Sequence, residues 1–370
     1  MKINNQSYRT IWLNKDDGGR VELIDQTVLP HEFKVATLTS YRDGIVAIKD
    51  MWVRGAPLIG ATAAWSLYLA ALEGQESDHG PEFMRQAGQE LCAARPTAVN
   101  LQWAVDRVLG KLEGNSSWDT RVSTTRAEAE AILEEDVAMC EQIGEHGLSL
   151  LKEIKNKKGD APVKVLTHCN AGWLATVDWG TATAPIYKAK QNQLPIHVWV
   201  DETRPRNQGA YLTAYELANE DIPHDIIVDN AGGHLMQQGE VDVVIVGTDR
   251  TAANGDVANK IGTYLKALAA FDNGVPFYVA APSHSIDWSL FSGHDIPIEE
   301  RDGKEVTHVA GNDGGQRREI LIANETSSAR NPSFDITPAR LVTGLITERG
   351  VCEASETGLA GLFPEKFQGS

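Results

Sequence analysis

The sequence has few cysteines, and none stands in a spacing that binds zinc. Its 370 residues include four, which are scattered along the chain: Cys92, Cys140, Cys169 and Cys352. Without a C-x-x-C or H-E-x-x-H pattern, the sequence predicts neither a disulfide framework nor a metal site. His168 lies next to Cys169, but on a strand their side chains would point to opposite faces. We therefore expect no bound metal and a reducing compartment, the cytoplasm.

Basic residues are also scarce. Lys and Arg number 34 against 51 Asp and Glu, which gives a formal net charge of -17. Non-specific binding to nucleic acid or to anionic membranes needs a basic face, so we expect neither partner. The longest mostly apolar stretch, residues 58–72, is shorter than the about 20 residues that span a bilayer. An anionic small molecule would have to be met by a local basic cluster.

Nucleotide-binding and hydrolase motifs are absent as well. The sequence contains no Walker A pattern, and Gly232 and Gly233 are not part of a G-x-G-x-x-G fingerprint. No G-x-S-x-G nucleophile elbow occurs either. We expect no cofactor and no serine hydrolase.

The apolar pattern changes near residue 155. From residue 39 to about 155 the spacing is helical, with Pro57 placed to open one helix and Gly74 to close it. After the polar stretch 156–160, short apolar runs alternate with helical segments: residues 163–167, 196–200, 225–228, 241–246, 277–280 and 341–346. Such runs suit parallel strands buried on both faces. The predicted fold class is α/β, with a mainly helical N-terminal domain (1–155) followed by a Rossmann-like parallel-sheet domain (156–370).

Three polar clusters follow predicted strands. In an open parallel sheet, ligands bind beyond the carboxyl ends of the strands. Cys169 follows the first run, Gln208 lies in the polar stretch after the second, and Asp249 follows the fourth. A thiol at a predicted helix N-terminus is placed where backbone N–H groups favour the thiolate. A buried cysteine and an ion-paired aspartate are ordinary structural features. A functional role is therefore supported only if the two side chains face one ligand as a pair.

Cationic residues stand in two further segments. Asp256 predicts the start of a helix with Asn259 and Lys260 in or near its first turn, where orphan N–H donors suit a phosphate. In the first half, residues 54–57 (Arg-Gly-Ala-Pro) predict a loop that allows close backbone approach, from which Arg54 could reach an oxyanion. Arg95 lies in a similar loop. Taken singly, each is explained equally well by a solvated or ion-paired side chain.

Taken together, these segments closely resemble the methylthioribose-1-phosphate isomerase family. The resemblance runs from residue 54 to the segments 331–335 and 347–350, with the motifs in the same order. It implies a homodimer that converts a small sugar phosphate, 5-methylthioribose 1-phosphate, to the corresponding ketose in methionine salvage. It also implies catalytic roles for Cys169 and Asp249. The positions that match substrate-binding residues are Arg54, Gly55, Ala56, Arg95, Gln208, Asn259 and Lys260.

Two other functions fit the same sequence. A related isomerase could act on 5-deoxyribose 1-phosphate or ribose 1,5-bisphosphate, although we identify no second basic cluster for a second phosphate. A non-catalytic regulatory subunit of the exchange factor for translation initiation resembles the same fold, but it need not carry the thiol and the carboxylate together. For the isomerase, we expect Asp249 to give a proton to the ring oxygen in a dry pocket, and Cys169 to act at C2 or to stabilise a cation.

Overall fold

The computed structural model describes residues 1–15, 19–77, 79–80, 82–96, 98–112 and 117–367. The chain forms two compact units. The first comprises residues 1–141 and 172–180, and the second comprises residues 142–171 and 181–370. Among the helices of the described residues, none is both long enough and apolar enough to cross a bilayer.

The first unit begins with short strands and continues with helices. In chain order they are β1 (Lys2–Ile3), β2 (Gln6–Ser7), β3 (Ile11–Leu13), β4 (Val21–Ile24), β5 (Val35–Leu38), α1 (Tyr41–Lys49), α2 (Ala56–Ser77), α3 (Phe83–Ala94), α4 (Val99–Gly110) and α5 (Trp118–Lys158). The Ser40 hydroxyl and the Asp43 carboxylate form a capping box that starts α1. α2 is apolar on nearly all sides and is buried at the centre of this unit's core.

Gly74 does not end α2, so that prediction is wrong. The helix continues to Ser77, and a Cβ on Gly74 would lie 2.2 Å from an indole carbon of Trp118. The glycine makes room for a tryptophan that packs across the helix. This is a tertiary requirement, for which the local sequence carries no signal.

The second unit contains most of the strands. In chain order its elements are β6 (Val163–Thr167), α6 (Ala184–Gln191), β7 (Ile196–Asp201), α7 (Ala214–Asn219), β8 (His224–Ile227), α8 (Ala231–Gln237), β9 (Val243–Val246), β10 (Arg250–Ala252), β11 (Val257–Lys260), α9 (Thr263–Asp272), β12 (Phe277–Ala280), β13 (Ile286–Asp287), α10 (Lys304–Thr307), β14 (His308–Asp313), β15 (Gln316–Leu321), β16 (Phe334–Thr337), β17 (Gly344–Thr347), β18 (Gly350–Cys352) and α11 (Glu356–Leu362). The six runs predicted as strands are confirmed as β6, β7, β8, β9, β12 and β17.

The largest sheet reverses its strand order at one place. Its order is β18-β17-β12-β9-β6-β7-β8, parallel except for β18. Starting at β6, the chain adds β7 and β8 on one side, then returns to add β9, β12 and β17 on the other. The position between β6 and β9 is therefore the topological switch point, where ligands bind in open sheets of this kind.

The division between the units differs from the predicted boundary after residue 155. α5 contributes residues 118–141 to the first unit and residues 142–158 to the second. Residues 172–180 return to the first unit, where the Gln26 amide donates to the Leu174 carbonyl (2.6 Å) and the Val177 N–H donates to the Asp136 carboxylate (2.7 Å). These contacts join residues far apart in the sequence, which a local pattern does not encode.

Candidate active site

The turn after β6 holds Cys169 in an unusual backbone conformation. Its φ is 67°, in the left-handed region that residues other than glycine rarely adopt. Its N–H donates to the Thr203 hydroxyl (2.8 Å), and its carbonyl accepts from the Thr213 hydroxyl (2.8 Å). The cysteine is buried, with 7% of its surface exposed. Threonine side chains, rather than a helix or strand ladder, therefore fix both backbone groups of Cys169.

Thr203 has a strained backbone of its own. Its φ is 66°, which is an outlier for a β-branched residue. The carboxylate of Asp229 accepts hydrogen bonds from the N–H groups of Thr203 and Arg204, both at 2.7 Å. These two bonds stabilise the conformation in which the Thr203 hydroxyl meets the Cys169 amide. Such strain persists only where the surroundings enforce it, and it clusters at functional sites.

The residue after Cys169 is fixed as well. The side-chain amide of Asn170 donates to Thr213 (3.1 Å) and to the carboxylate of Glu216 (2.9 Å). Glu216 is fully buried and also accepts from the Tyr187 hydroxyl at 2.7 Å. Burial raises the pKa of Tyr187 well above its ordinary value, and the Glu216 charge adds to the rise. The tyrosine therefore remains a hydrogen-bond donor to this carboxylate.

Asp249 follows β9, the neighbour of β6 across the switch point. It is half-buried, and its N–H donates to the carbonyl of Ala258 on β11 (3.0 Å). Two residues earlier, Gly247 has no room for a side chain, because a Cβ there would lie 2.4 Å from the Cβ of Ala171. Ala171 belongs to the turn that carries Cys169. The turns of Cys169 and Asp249 are thus in contact at the carboxyl edge of the sheet.

Asn259 and Lys260 lie on a strand, so the predicted helix start at Asp256 is wrong. β10 and β11 form an antiparallel hairpin, and β11 pairs in turn with β16. The helix α9 begins only at Thr263. The side chains of Asn259 and Lys260 are therefore held by a sheet, and not by the first turn of a helix.

Asp256 has a different structural task. Its carboxylate accepts hydrogen bonds from the N–H groups of Gly293 (2.9 Å) and Ala339 (2.8 Å). The preceding Gly255 has a φ of 89° and forms the turn between β10 and β11 with Asn254. Asn-Gly is a strong hairpin signal. It outweighs the capping signal of the aspartate, which is why the helix does not form here.

Lys260 is buried at the end of β11, with 8% of its surface exposed. Its ammonium donates to the Ser333 carbonyl (2.8 Å) and lies 4.6 Å from the centre of the Phe334 ring. The amide of Asn259 donates to the Thr263 hydroxyl (3.0 Å). A largely desolvated cation in a fixed position interacts more strongly with an anion than a solvated one does. Lys260 is therefore well suited to bind a phosphate.

Gln208 immediately precedes a π-helical turn, Gly209–Thr213, after β7. Its Oε1 is buried and accepts no hydrogen bond from the residues that the structure describes. An unsatisfied buried polar group costs about 1–3 kcal/mol, so this oxygen is suited to accept from a bound hydroxyl. A Cβ on Gly209 would lie 1.7 Å from the carbonyl oxygen of Asp201, so the glycine lets this loop pack against the end of β7.

The other predicted residues belong to the first unit. They are Arg54, Gly55, Ala56 and Arg95. The first three form the entry to α2, and Arg95 follows α3. Gly55 has a φ of 94°, and a Cβ there would lie 2.3 Å from the Ala175 carbonyl oxygen, so only glycine fits.

The loops of Arg54 and Arg95 lie at the same end of a helix pair. A Cβ on Gly60, in the second turn of α2, would lie 3.0 Å from the carbonyl oxygen of Asn100. Asn100 is in the first turn of α4, shortly after Arg95. The starts of α2 and α4 are thus packed together, with one arginine in the loop before each.

A buried cluster of charged groups adjoins the Cys169 turn. His168 Nδ1 lies 2.8 Å from Asp201 Oδ2, and the Lys266 ammonium lies 3.1 Å from the same oxygen. Together with Asp229, His168 and Asp201 have the spacing of metal ligands within the described part of the chain. The ammonium of Lys266 already neutralises charge there and also donates to the Asp229 carbonyl. The geometry therefore favours an internal ion-pair network over a metal site.

Comparison with known proteins decides the family. A model of the initiation factor 2 subunit family matches residues 52–354. The methylthioribose-1-phosphate isomerase of Sinorhizobium medicae is 57% identical over 369 residues, which cover 99% of this chain and 100% of that protein. The chain belongs to the methylthioribose-1-phosphate isomerase family.

Solved structures show the same isomerase family fold. The 5-methylthioribose 1-phosphate isomerase from Pyrococcus horikoshii OT3 has a TM-score of 0.83 and 40% identity, with 97% of each chain covered. The translation initiation factor eIF-2B, subunit delta, from A. fulgidus has a TM-score of 0.80 and 38% identity, with 98% of this chain and 100% of that chain covered. Proteins with two kinds of name thus share this fold.

In this member of the isomerase family, the sequence indicated Cys169 but not the groups that hold it. Thr203 lies in the polar stretch after β7, so its position was a usable signal. Thr213 and Glu216 lie on the π-helical turn and on α7, and no local pattern relates them to the thiol. The local sequence around His168 gives no sign of a role, whereas the structure gives the ring partners at both nitrogens.

Proposed function

We propose that the protein is an aldose–ketose isomerase that converts 5-methylthioribose 1-phosphate to 5-methylthioribulose 1-phosphate in methionine salvage. The observation that carries this proposal is that Cys169 and Asp249 occupy touching turns on the two sides of the switch point. The 57% identity to a relative of that name, over the full length, supports the same substrate.

The substrate sets the chemical problem. A phosphate on C1 locks the sugar as a cyclic acetal, so no carbonyl is free until the ring opens. In the proposed reaction, the protonated Asp249 carboxyl gives its proton to the ring oxygen, and the bond from C1 to that oxygen breaks. A cation then forms at C1, stabilised by the oxygen that bears the phosphate. After hydrogen moves from C2 to C1, the O2 hydroxyl returns a proton to Asp249 as the C2 carbonyl forms.

Two routes move the hydrogen, and they differ in the role of Cys169. In the enediol route its thiolate removes the C2 proton, an enol phosphate forms, and the thiol returns the proton to C1. In the hydride route hydrogen passes from C2 to C1 with its electron pair, and Cys169 stabilises the cation by contact. Prolonged turnover in D2O separates the routes, because only the enediol route exchanges deuterium into C1 of the product.

We assign substrate-binding roles residue by residue. In the second unit, Lys260 meets the phosphate, while Gln208 Oε1 and the Asn259 amide meet hydroxyl groups. In the first unit, we assign Arg54 and Arg95 to the anionic substrate as cations. The N–H groups of Gly55 and Ala56, at the start of α2, are donors of the kind that bind phosphates.

Single substitutions of the two proposed catalytic residues test the function. Cys169→Ser and Asp249→Asn should each lower kcat by at least about 1,000-fold, because each removes a proton-handling group. Product affinity should stay within about threefold, and the circular dichroism spectrum should be unchanged. Cys92→Ser is the matched control and should keep full turnover. Normal turnover of Cys169→Ser or Asp249→Asn would refute the role of that residue.

A second candidate is a non-catalytic regulatory subunit. The 38% identity to the structure named as an initiation factor subunit supports it. Product analysis by NMR decides between the classes when purified protein is given 5-methylthioribose 1-phosphate, 5-deoxyribose 1-phosphate and ribose 1,5-bisphosphate separately. Turnover of the first sugar at the highest kcat/KM supports the proposal, while preference for another sugar identifies a related isomerase. Inactivity on all three would favour the regulatory subunit.

We also infer that the protein is a cytoplasmic homodimer. The homodimer rests on the family resemblance, and the reducing compartment is supported by the four cysteines, all described by the structure, which form no disulfide with one another. Light scattering of the purified protein should give twice the mass of one chain. A monomer at micromolar concentration would contradict the assembly.

A further inference from the structure

His168 joins three segments of the second unit, and the proposed mechanism gives it no role. It is fully buried and directly precedes Cys169. Its Nδ1 lies 2.8 Å from the carboxylate of Asp201 at the end of β7. Its Nε2 lies 2.9 Å from the carbonyl oxygen of Ile261, the residue directly after Lys260. The ring thus belongs to the neighbour of a proposed catalytic residue, Cys169, and contacts the neighbour of a proposed binding residue, Lys260.

The partners determine which hydrogens the ring carries. A backbone carbonyl only accepts hydrogen bonds, so Nε2 must carry a hydrogen to bond Ile261. The Asp201 oxygen that faces Nδ1 also accepts from the Lys266 ammonium at 3.1 Å, so this oxygen acts as an acceptor. With acceptors at both nitrogens, the ring is placed to donate hydrogen bonds in two directions.

The chain after Lys260 is shaped around this ring. Gly262 has a φ of 103°, and a Cβ there would lie 3.1 Å from both Cε1 and Nε2 of His168. The N–H of Ile261 donates to the Ser333 carbonyl at 3.1 Å. That carbonyl also accepts the ammonium of Lys260 at 2.8 Å. A chain of hydrogen bonds therefore leads from the His168 ring to the Lys260 side chain.

We propose that His168 is a positioning residue that fixes the Cys169 turn and the end of β11 relative to each other. Its bond to Asp201 orients the turn that carries the thiol, and its bond to Ile261 orients the backbone that carries Lys260. The inference rests on the proposed isomerase function, because it takes Cys169 to act in the chemistry and Lys260 to bind the substrate.

Two conservative substitutions separate the two bonds. In His168→Asn, the side-chain amide can occupy the place of Nδ1 and donate to Asp201, but it cannot reach Ile261. In His168→Gln, the longer amide can occupy the place of Nε2 and donate to Ile261, but the bond to Asp201 is lost. We expect His168→Asn to raise KM about tenfold with kcat within about twofold of wild type. We expect His168→Gln to lower kcat about tenfold with little change in KM.

A merely structural role predicts a different result. It would lower the melting temperature and the active fraction in both variants and would leave KM unchanged. The inference is overturned if both variants change the same parameter, or if both turn over as wild type does. A double-mutant cycle adds a second check, because His168→Asn should raise KM no further in a Lys260→Ala background.

A further test uses wild-type protein and so does not depend on whether a substituted protein folds. In protein labelled with 15N-histidine, the buried ring should show two slowly exchanging N–H signals. Saturation with the equilibrium mixture of substrate and product should shift the Nε2 signal, because Lys260 then holds the phosphate. An unshifted signal in turning-over protein would overturn the inference. Absence of turnover by wild type would instead refute the proposed function itself, so the two failures are distinguishable.

Discussion

The turn after β6 and the β14–β15 hairpin, both in the second unit, are held in opposite ways. The hairpin has six cross-strand residue pairs, and every residue of β15 is exposed, including Ile320 at 53%. The side chains of β15 are exposed to solvent, and hydrogen bonds between the backbones of β14 and β15 hold the hairpin together. At Cys169, by contrast, the hydroxyl groups of Thr203 and Thr213 bond to the backbone N–H and carbonyl, and the cysteine itself is buried.

The two regions should therefore differ in how well they tolerate amino-acid substitutions. A ladder is made of backbone groups, so most substitutions in the hairpin leave it intact. A turn held by side chains depends on the identity of each of them, and strained residues there have few substitutes. We therefore expect substitutions near Cys169 to be costly and substitutions in the hairpin to be mild.

The largest contrast should come from two glycines. Gly209→Ala places a Cβ 1.7 Å from the Asp201 carbonyl oxygen, whereas a Cβ on Gly311, in β14, meets nothing within 4 Å. We expect the first change to lower the free energy of unfolding by about 2–4 kcal/mol and the second to change it by less than about 0.5 kcal/mol. Urea unfolding monitored by tryptophan fluorescence measures both. Equal losses would contradict the comparison.

A smaller effect, on activity, should follow from removing one hydroxyl. Thr203→Val keeps the shape of the side chain but leaves the buried Cys169 N–H without its acceptor, at a cost of about 1–3 kcal/mol. We expect kcat to fall about tenfold while KM is unchanged. Thr203→Ser keeps the hydroxyl and should retain most of the activity. If the serine and valine variants were equally impaired, the hydrogen bond would not be the cause.

The smallest effect should be the acid sensitivity of the hairpin's base. Burial acts to raise the pKa of Glu305, on α10, but hydrogen bonds from Arg301 and Arg206 outweigh it and hold the pKa at about 2, below the ordinary 4.5. Because the folded pKa is depressed, this stabilisation is present above about pH 4.5 and is lost as the pH falls toward 2. After allowance for partial exposure we expect about 1 kcal/mol.

The melting temperature between pH 3 and pH 6 measures that loss. Wild type should lose more stability across this interval than Glu305→Gln, which cannot titrate. Glu325→Gln, at an exposed position after β15, is the control and should follow wild type. Identical pH dependence of wild type and Glu305→Gln would show that this carboxylate contributes no acid sensitivity.

The strands could be predicted because burial on both faces makes a run apolar throughout. The same logic led to Cys169 and Asp249, since polar residues after such runs must lie at the carboxyl edge of the sheet. The start of α9 could not be predicted in this way, because the turn at Asn254 and the capping potential of Asp256 competed within a few residues. Only the pairing of β11 with β10 and β16 decides between them.

What the sequence could not reveal depends on contacts between distant residues. Residues 172–180 join the first unit through partners such as Gln26 and Asp136. The Cys169 turn depends on Thr213, which is 44 positions away along the chain. Gly74 looks like a helix terminus until Trp118 is placed against it. In each case the local sequence around the residue carries no signal. Its structural role depends on a partner that is distant along the chain.

A turn held by two threonine hydroxyls also has a consequence for evolution. A single nucleotide change converts a threonine codon to one for serine or alanine. One mutation can therefore weaken or alter the hydrogen bonds that position the Cys169 turn. The parallel strands below would be untouched by such a step. Descendants could therefore adjust reactivity toward a new sugar while inheriting an unaltered scaffold.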